Sequence, residues 1–119
     1  MQIIEDIKYF NSPEEWRNWL VMHCETESEI WVGLRKKGGN KGLGYEEALL
    51  EALCYGWVDG LTKRVDEESY KIRFTPRRPK SNWAITNVRR VEKLIKKGKM
   101  TPLGLKHIDA AKADGRWPL

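Results

Sequence analysis

The chain has few of the residues on which disulfide-rich, metal-binding and membrane-spanning proteins depend. Its two cysteines, Cys24 and Cys54, do not form a CxxC pair, and there are only two histidines. This scarcity argues against a zinc site and a disulfide framework, and it predicts buried, reduced thiols. No apolar run approaches the ~20 residues that span a bilayer, and the N-terminal stretch is acidic where a signal peptide is basic. We therefore expect a cytoplasmic protein without a transmembrane segment, a metal or a cofactor.

The motifs of common catalytic and nucleotide-binding sites are also missing. There is no Gly-x-Ser-x-Gly sequence, and the glycine-rich loop 38–44 matches neither the Walker A motif nor GxGxxG. Glu46 and Glu47 follow this loop in the first turn of a predicted helix, where their charges would repel a phosphate. The sequence therefore favours a plain loop over a phosphate-binding one.

What the chain does have is the composition of a small folded domain. Its 119 residues are 40% hydrophobic and 33% charged, and they include six tryptophans. A chain of this length can build one hydrophobic core. We expect a single domain that covers residues 1–119.

Four helices are predicted from start signals and apolar periodicity. Ser12, Pro13 and Glu15 form a capping box with proline at the first helical position, and Thr101-Pro102 repeats the combination of cap and proline. A second helix begins near Tyr45 and ends at Gly56. The third is expected to begin at a Ser81 cap and to bury Ala84, Val88, Val91 and Ile95.

Strands are predicted over residues 3–10, 29–36, 58–65 and 70–75. The last two flank a polar turn at 66–69 and should form a hairpin. Together with the helices, they predict an α+β fold with a small, mostly antiparallel sheet of three to four strands and about four helices.

Positive charge is concentrated in one third of the sequence. Residues 71–106 contain 12 Lys and Arg but one acidic residue, although the whole chain has a net charge of only +5. Such a segment is typical of a nucleic-acid or anionic-membrane surface, or of a solvated basic face. The predicted basic surface consists of Lys80, Arg89, Arg90, Lys93, Lys96 and Lys97.

The start of this basic segment is where a ligand site is expected. Pro76 and Pro79 should fix a rigid corner, and arginines at such a corner are suited to phosphate or carboxylate. Asp59 is expected either to pair with an arginine across the hairpin or to act as a general acid or base. Trp83 is expected to be partly exposed. The candidate site lies between the hairpin and the third helix and consists of Trp57, Asp59, Arg73, Arg77, Arg78 and Trp83.

Three stretches resemble the YdeI/OmpD-associated family, also called bacteriocin-protection proteins. They are EALCYGWVDG, the run from YKIRFTPRRPKSNWAITN to KMTPLG, and AKADGRW. The resemblance implies a bacterial or archaeal protein linked to bacteriocin and envelope-stress tolerance, and it carries no catalytic residues. Longer members continue into a further helical segment beyond the point that corresponds to Trp117, whereas this sequence stops at Leu119.

The leading hypothesis is a non-enzymatic binding module for an anionic ligand, which could be a small molecule or an acidic partner protein. One alternative is a nucleic-acid-binding protein that uses segment 71–106. The other is a small-molecule enzyme in which Asp59 works beside an arginine clamp for an anion.

Overall fold

A computed structural model describes residues 7–36, 39 and 42–118 of the chain. The first part of the predicted strand 3–10 and positions 38, 40 and 41 of the glycine loop lie outside these residues. Within the described residues, no helix is long and apolar enough to cross a bilayer.

The described residues form an α+β fold of four strands and four helices. In chain order these are β1 (Ile7–Tyr9), α1 (Pro13–His23), β2 (Ile30–Arg35), α2 (Tyr45–Cys54), β3 (Trp57–Arg64), β4 (Ser69–Pro76), α3 (Ile85–Lys96) and α4 (Pro102–Ala113). The predicted fold class is confirmed.

The sheet is mixed, with strand order β1-β2-β4-β3. β1 lies parallel to β2, while β4 is antiparallel to both β2 and β3. The predicted hairpin is confirmed as β3 and β4. Its turn is stabilised by Asp66, whose Oδ1 accepts from the backbone N–H groups of Glu68 at 2.8 Å and Ser69 at 2.9 Å.

Helix α2 separates two hydrophobic clusters. The sheet cluster packs α1 and the inner side of the sheet against Ala48 and Ala52. The helix cluster packs α3 and α4 against Leu49, Leu53 and Cys54 on the other side of α2. Both cysteines are buried as free thiols. Because α2 serves both clusters, every other helix is positioned against it directly or through the core.

The predicted starts of α1 and α4 are confirmed. Ser12 Oγ accepts from the backbone N–H of Glu15 at 3.2 Å, and Thr101 Oγ1 accepts from that of Gly104 at 3.4 Å. The Thr101 hydroxyl also donates to the carbonyl of Cys54. The cap of α4 therefore fastens this helix to the C-terminal end of α2.

The predicted start and apolar stripe of α3 are partly wrong. The residue that precedes the helix is Ala84, not Ser81, and it offers no side-chain cap. Leu94 is buried, whereas Ile95 is 41% exposed. Val88 and Val91 are buried as expected. The Ser81 hydroxyl lies four residues before the first helical residue and accepts a hydrogen bond from Arg77 instead.

Candidate functional site

Arg77 is a charged residue in the interior of the molecule. It follows the last residue of β4, and its backbone N–H donates to the carbonyl of Gly56 at 2.9 Å, which holds it against the end of α2. The residue is only 7% exposed. Arginine is seldom buried to this extent unless a partner neutralises its charge.

The contacts of the Arg77 guanidinium orient it without neutralising it. Nη2 donates to Ser81 Oγ at 3.0 Å and to the backbone carbonyl of Asn82 at 2.9 Å. The guanidinium carbon lies 3.8 Å from the centre of a Trp83 ring. No carboxylate among the described residues pairs with Arg77, and its buried Nε finds no hydrogen-bond acceptor within them. The Nε–H is thus a donor without an acceptor among the described residues.

The residues around Arg77 add positive charge. Arg116 donates to the backbone carbonyl of Ser81, the same residue that Arg77 contacts, and pairs with Asp114 at 2.7 Å. Burial, followed by the charge of Arg116, lowers the pKa of Arg77. Burial lowers the pKa of His107, and the charges of Arg77, Lys106 and Arg116 lower it further. We call Arg77, Ser81, Trp83, His107 and Arg116 the Arg77 site.

Two backbone positions with positive φ shape this site. Gly56 has φ +77°, and a Cβ there would lie 2.9 Å from the His107 ring and 3.0 Å from the carbonyl of Leu103. Lys80 has φ 64° in the turn that returns the chain from Arg78 to Ser81, where a non-glycine residue is strained. The turn presents Ser81 and Trp83 to Arg77, and Gly56 allows His107 to approach.

Only part of the predicted site is brought together. Arg77 and Trp83 are in direct contact, whereas Arg73 pairs with Glu29 at 2.6 Å and Arg78 is exposed. Trp57 is 1% exposed in the sheet cluster, and its indole N–H donates to the carbonyl of Cys24 at 3.1 Å. The predicted groove of six converging residues is therefore not formed. Asp59 pairs with Phe74 across the sheet, so Arg73, one residue before Phe74, faces the opposite side.

The predicted exposure of Trp83 is also wrong. It is 6% exposed, with Arg77 against its ring and Trp117 at 5.1 Å between ring centres. Its indole orients an arginine inside the protein instead of offering a face to solvent.

Asp59 accepts a hydrogen bond from a tyrosine, not from an arginine. Tyr45 donates its hydroxyl to Asp59 at 2.8 Å, and burial together with this hydrogen bond raises the pKa of Tyr45 to about 12. No ion pair between Asp59 and an arginine occurs in the part of the chain that is described. The predicted tie across the hairpin is wrong.

The predicted basic surface divides into free and paired residues. Lys80, Arg89, Lys93, Lys96 and Lys97 are exposed. Arg90 is not free. It binds both carboxylate oxygens of Glu46 at 2.9 Å and the side-chain carbonyl of Asn87 at 2.8 Å. No group of three His, Cys, Asp or Glu side chains within the described ranges could hold a metal ion.

His107 and Arg116 are the residues that sequence reasoning missed. His107 follows Lys106 on a helix and resembles an ordinary surface residue, while Arg116 lies in a tail after Gly115. The available signal was Gly115 itself, because a glycine that ends a helix turns the chain back onto the body of the protein. Gly115 has φ +83° and returns Arg116 to Ser81.

The fold and the site define the kind of protein. It is a small α+β protein with a mixed four-stranded sheet and a buried arginine that lacks a carboxylate partner among the described residues. The chain belongs to the family described as Domain of unknown function (DUF8412), whose model matches residues 8–107. The match includes Arg77 and His107 and ends before Arg116. No curated protein and no solved structure matches the chain. Nothing in these comparisons links it to the YdeI/OmpD-associated family.

Proposed function

We propose that the protein is a non-enzymatic binding module for an anionic ligand and that Arg77 is the residue that holds the anion. The observation that carries this proposal is a buried guanidinium whose Nε has no acceptor among the described residues. A buried donor without an acceptor costs free energy, and a buried charge without a partner costs more. An anion beside Arg77 would remove both costs.

The geometry favours a carboxylate or phosphate group. Nη2 shares an edge with Nε and already donates to Ser81 and Asn82, so the Nε–H is the donor left for a ligand. An oxygen of a carboxylate or phosphate group would accept one charge-assisted hydrogen bond from it, which gives directional as well as electrostatic recognition. Trp83 limits the rotation of the guanidinium, so less entropy is lost when the anion binds.

His107 and Arg116 support the same ligand class. Both carry or can carry positive charge, and both are close enough to Arg77 to affect a pKa. An anion in this place would be attracted by Arg77 and by protonated His107, and less by Arg116, which already pairs with Asp114. It would favour the protonated form of His107. We therefore expect affinity for the anion to increase as pH falls through the pKa of His107.

The direct test is NMR detection of the arginine Nε–Hε groups during titration with inorganic phosphate or acetate. We expect the Arg77 Nε–Hε signal to shift downfield and to saturate, because a new acceptor forms a hydrogen bond with that proton. The Arg77→Lys variant keeps the charge but lacks the Nε–H donor, and its titration is followed through the indole N–H signal of the neighbouring Trp83. It should bind at least about tenfold more weakly.

Arg78→Lys is the matched control, since Arg78 is adjacent in sequence but exposed. It should titrate like the wild type. Equal responses of all three proteins, or movement of exposed arginine signals only, would reject Arg77 as the anion-binding residue.

The nucleic-acid alternative remains a second proposal, supported by the charge of segment 71–106. The contacts described above spread these cations over the sheet, the corner and α3, so a single contact surface is less favoured. Titration with a short oligonucleotide at several salt concentrations separates the two ideas. Binding through several phosphates requires a steep loss of affinity with salt, which binding of one anion does not.

The enzyme alternative is a third proposal and rests on Asp59. Asp59 is engaged by Tyr45, and none of the three arginines proposed as its clamp pairs with it. Its role in catalysis would require a substrate that displaces the tyrosine hydroxyl. A substrate whose turnover is lost in Asp59→Asn would support this alternative.

The resemblance to the YdeI/OmpD-associated family supports a further proposal, a role in tolerance of bacteriocins or envelope stress. It rests on sequence stretches that include the end of α2, the Arg77 corner and the Gly115 tail. Deletion of the gene in its host, followed by a bacteriocin challenge, tests this role. Unchanged survival would remove it without affecting the anion proposal.

A further inference from the structure

A shallow cavity of 420 Å³ lies between α2 and α3, on a part of the surface separate from the Arg77 site. Its floor is apolar, with Leu50 from α2 and Leu94 from α3. Leu94 is 4% exposed and Leu50 is partly buried. We call this cavity the α2–α3 groove.

One side of the groove is a row of cations. Arg89, Lys93 and Lys97 line the cavity and follow one another at intervals of four residues along α3 and its C-terminal cap, Lys97. This spacing places successive side chains on the same side of the helix, about 6 Å apart along its axis. All three are exposed, and none forms a salt bridge with a carboxylate of the described residues.

The acidic residue in the groove wall does not neutralise this row. Glu46 is held by Arg90 through two hydrogen bonds of 2.9 Å, and Asn87 accepts a third from the same guanidinium. Hydrogen bonds from Arg90 lower the pKa of Glu46 most, and the nearby charge of Lys93 contributes to the same shift. Thus Arg90 and Glu46 form a fixed end wall, while three cations remain along the side.

We propose that the α2–α3 groove docks a short acidic segment of a partner protein. An apolar side chain of the segment would enter between Leu50 and Leu94, and its carboxylates would pair with Arg89, Lys93 and Lys97. This combination is the one by which amphipathic helices lie in grooves: apolar anchors in the floor and complementary charge at the rim.

The floor of the groove favours a peptide over nucleic acid. Proteins that hold single strands without sequence preference stack the bases on aromatic side chains. None of the described residues that line this groove is aromatic. An apolar floor is also of no use to a phosphodiester backbone, whereas it suits a leucine or phenylalanine side chain.

The groove is small, so the interaction is expected to be weak and transient. Standard interfaces involve about 20–30 residues on each partner. Eight of the described residues line this groove. We expect dissociation constants of about micromolar or weaker, with a clear dependence on salt.

The test uses the full chain and a fluorescently labelled synthetic peptide with leucines three and four residues apart and glutamates between them. Fluorescence anisotropy gives its affinity. A peptide of the same charge with serine in place of leucine, an oligothymidine of equal charge and anionic vesicles serve as competing ligands. We expect only the leucine peptide to bind at moderate salt.

Two matched triple variants locate the contact. Arg89→Gln/Lys93→Gln/Lys97→Gln removes the row. Each exposed ion pair contributes little, but the loss of all three together should weaken binding about tenfold or more. Lys8→Gln/Lys96→Gln/Lys99→Gln removes the same charge from exposed positions outside the groove and should change affinity by about twofold or less.

The Leu50→Ala variant tests the floor of the groove. It should weaken binding of the leucine peptide while leaving the melting temperature near that of the wild type. Equal losses in the two triple variants, equal binding of the serine peptide, or tighter binding of oligothymidine or vesicles would each overturn the proposal. Failure here leaves the Arg77 site unaffected, because neither triple variant alters a residue of that site.

Discussion

Arg77 breaks the rule that a buried charge has a partner of opposite sign. Ser81, Asn82 and the ring of Trp83 orient the guanidinium, but they do not cancel its charge. Such an arrangement stabilises the fold little, since an apolar side chain of similar size would avoid the cost of desolvation. This is the observation on which the proposal of an anionic ligand rests.

Replacement of Arg77 by Met should therefore separate stability from binding. We expect the free energy of unfolding to change by no more than about 1 kcal/mol, because relief of the desolvation cost offsets the lost hydrogen bonds and cation–π contact. The anion-dependent shift of the neighbouring Trp83 indole N–H signal should disappear. A loss of stability far above this figure in chemical denaturation would instead assign Arg77 a structural role.

His107 should make stability depend on pH in the mildly acidic range. Its pKa in the folded protein is lowered below the ordinary value of 6.5. The unfolded chain therefore takes up the proton first as pH falls. The stabilisation is present above pH 6.5 and is lost as pH falls through the lower, folded pKa.

Denaturation at a series of pH values checks this expectation. In His107→Gln the free energy of unfolding should fall less steeply as pH decreases below 6.5. Added phosphate should shift the wild-type curve towards lower pH, since an anion stabilises the protonated histidine. An unchanged slope in the variant would assign the dependence to the carboxylates.

Gly104 is a glycine inside a helix that alanine should not be able to replace. In a typical helix this change stabilises by about 1 kcal/mol. Here a Cβ would lie 2.7 Å from the carbonyl of Cys54 and 2.8 Å from that of Leu53. These are backbone atoms at the end of α2 and cannot turn away.

Gly104→Ala should accordingly destabilise the protein by about 1–3 kcal/mol. Thermal unfolding measures the change. Asp109→Ala, on the exposed side of the same helix, is the control, and its melting temperature should stay near that of the wild type. If Gly104→Ala instead raised the melting temperature, α4 would have to sit farther from α2 than it does here.

At the scale of elements, α1 and α2 are joined by a polar contact as well as by apolar packing. Arg17 donates to both carboxylate oxygens of Glu51, at 2.7 and 2.8 Å. The Glu51 side chain is 8% exposed, and that of Arg17 is 36% exposed. The pair matters mainly because Glu51 is buried and has to remain satisfied.

Arg17→Met should cost about 2 kcal/mol, less than for a fully buried pair because solvent reaches Arg17. Arg17→Met/Glu51→Met should recover most of this loss, since no buried carboxylate is then left unpaired. Urea denaturation of the two single variants and the double variant gives the coupling energy. A double variant as unstable as Arg17→Met would contradict this account.

Element boundaries were predictable where the signal is local. The caps of α1 and α4 follow from Ser12 and Thr101 with the prolines after them, and the structure uses both. The start of α3 was not predictable, because Ser81 is engaged by Arg77, a contact that the sequence does not reveal. The choice between Leu94 and Ile95 as the buried residue depends likewise on how α3 packs against α2.

At the scale of the whole molecule, composition and periodicity predicted an α+β fold but not the strand order. The parallel pairing of β1 with β2 and the placement of β4 between β2 and β3 depend on long-range contacts. The candidate site shows the same limit. Sequence proximity grouped Asp59, Arg73 and Arg77, whereas the fold brings Arg77 to His107 and Arg116, which are distant in sequence.

The whole molecule should also lose stability in alkali. Burial raises the pKa of Cys54 to about 11, and burial with the hydrogen bond to Asp59 raises that of Tyr45 to about 12. The unfolded chain loses these protons first. The stabilisation is complete below the ordinary values of 9.0 and 10.0 and disappears as pH rises through the folded values.

Denaturant midpoints measured between pH 9.0 and about 12 check this prediction, with tyrosinate absorbance followed in parallel. Tyr45→Phe removes one contribution and should make the decline shallower. An unchanged decline in this variant would assign the alkaline sensitivity to other groups.

The position of α2 between the two hydrophobic clusters has a consequence for amide hydrogen exchange. Amide protons exchange with solvent deuterium only when their helix opens, and α2 cannot open without disrupting packing on both sides. The amides of Leu49 to Leu53 should be among the slowest to exchange, at the rate of complete unfolding, whereas those near the ends of α3 exchange through local fraying. A single helix would thereby report the stability of the entire domain.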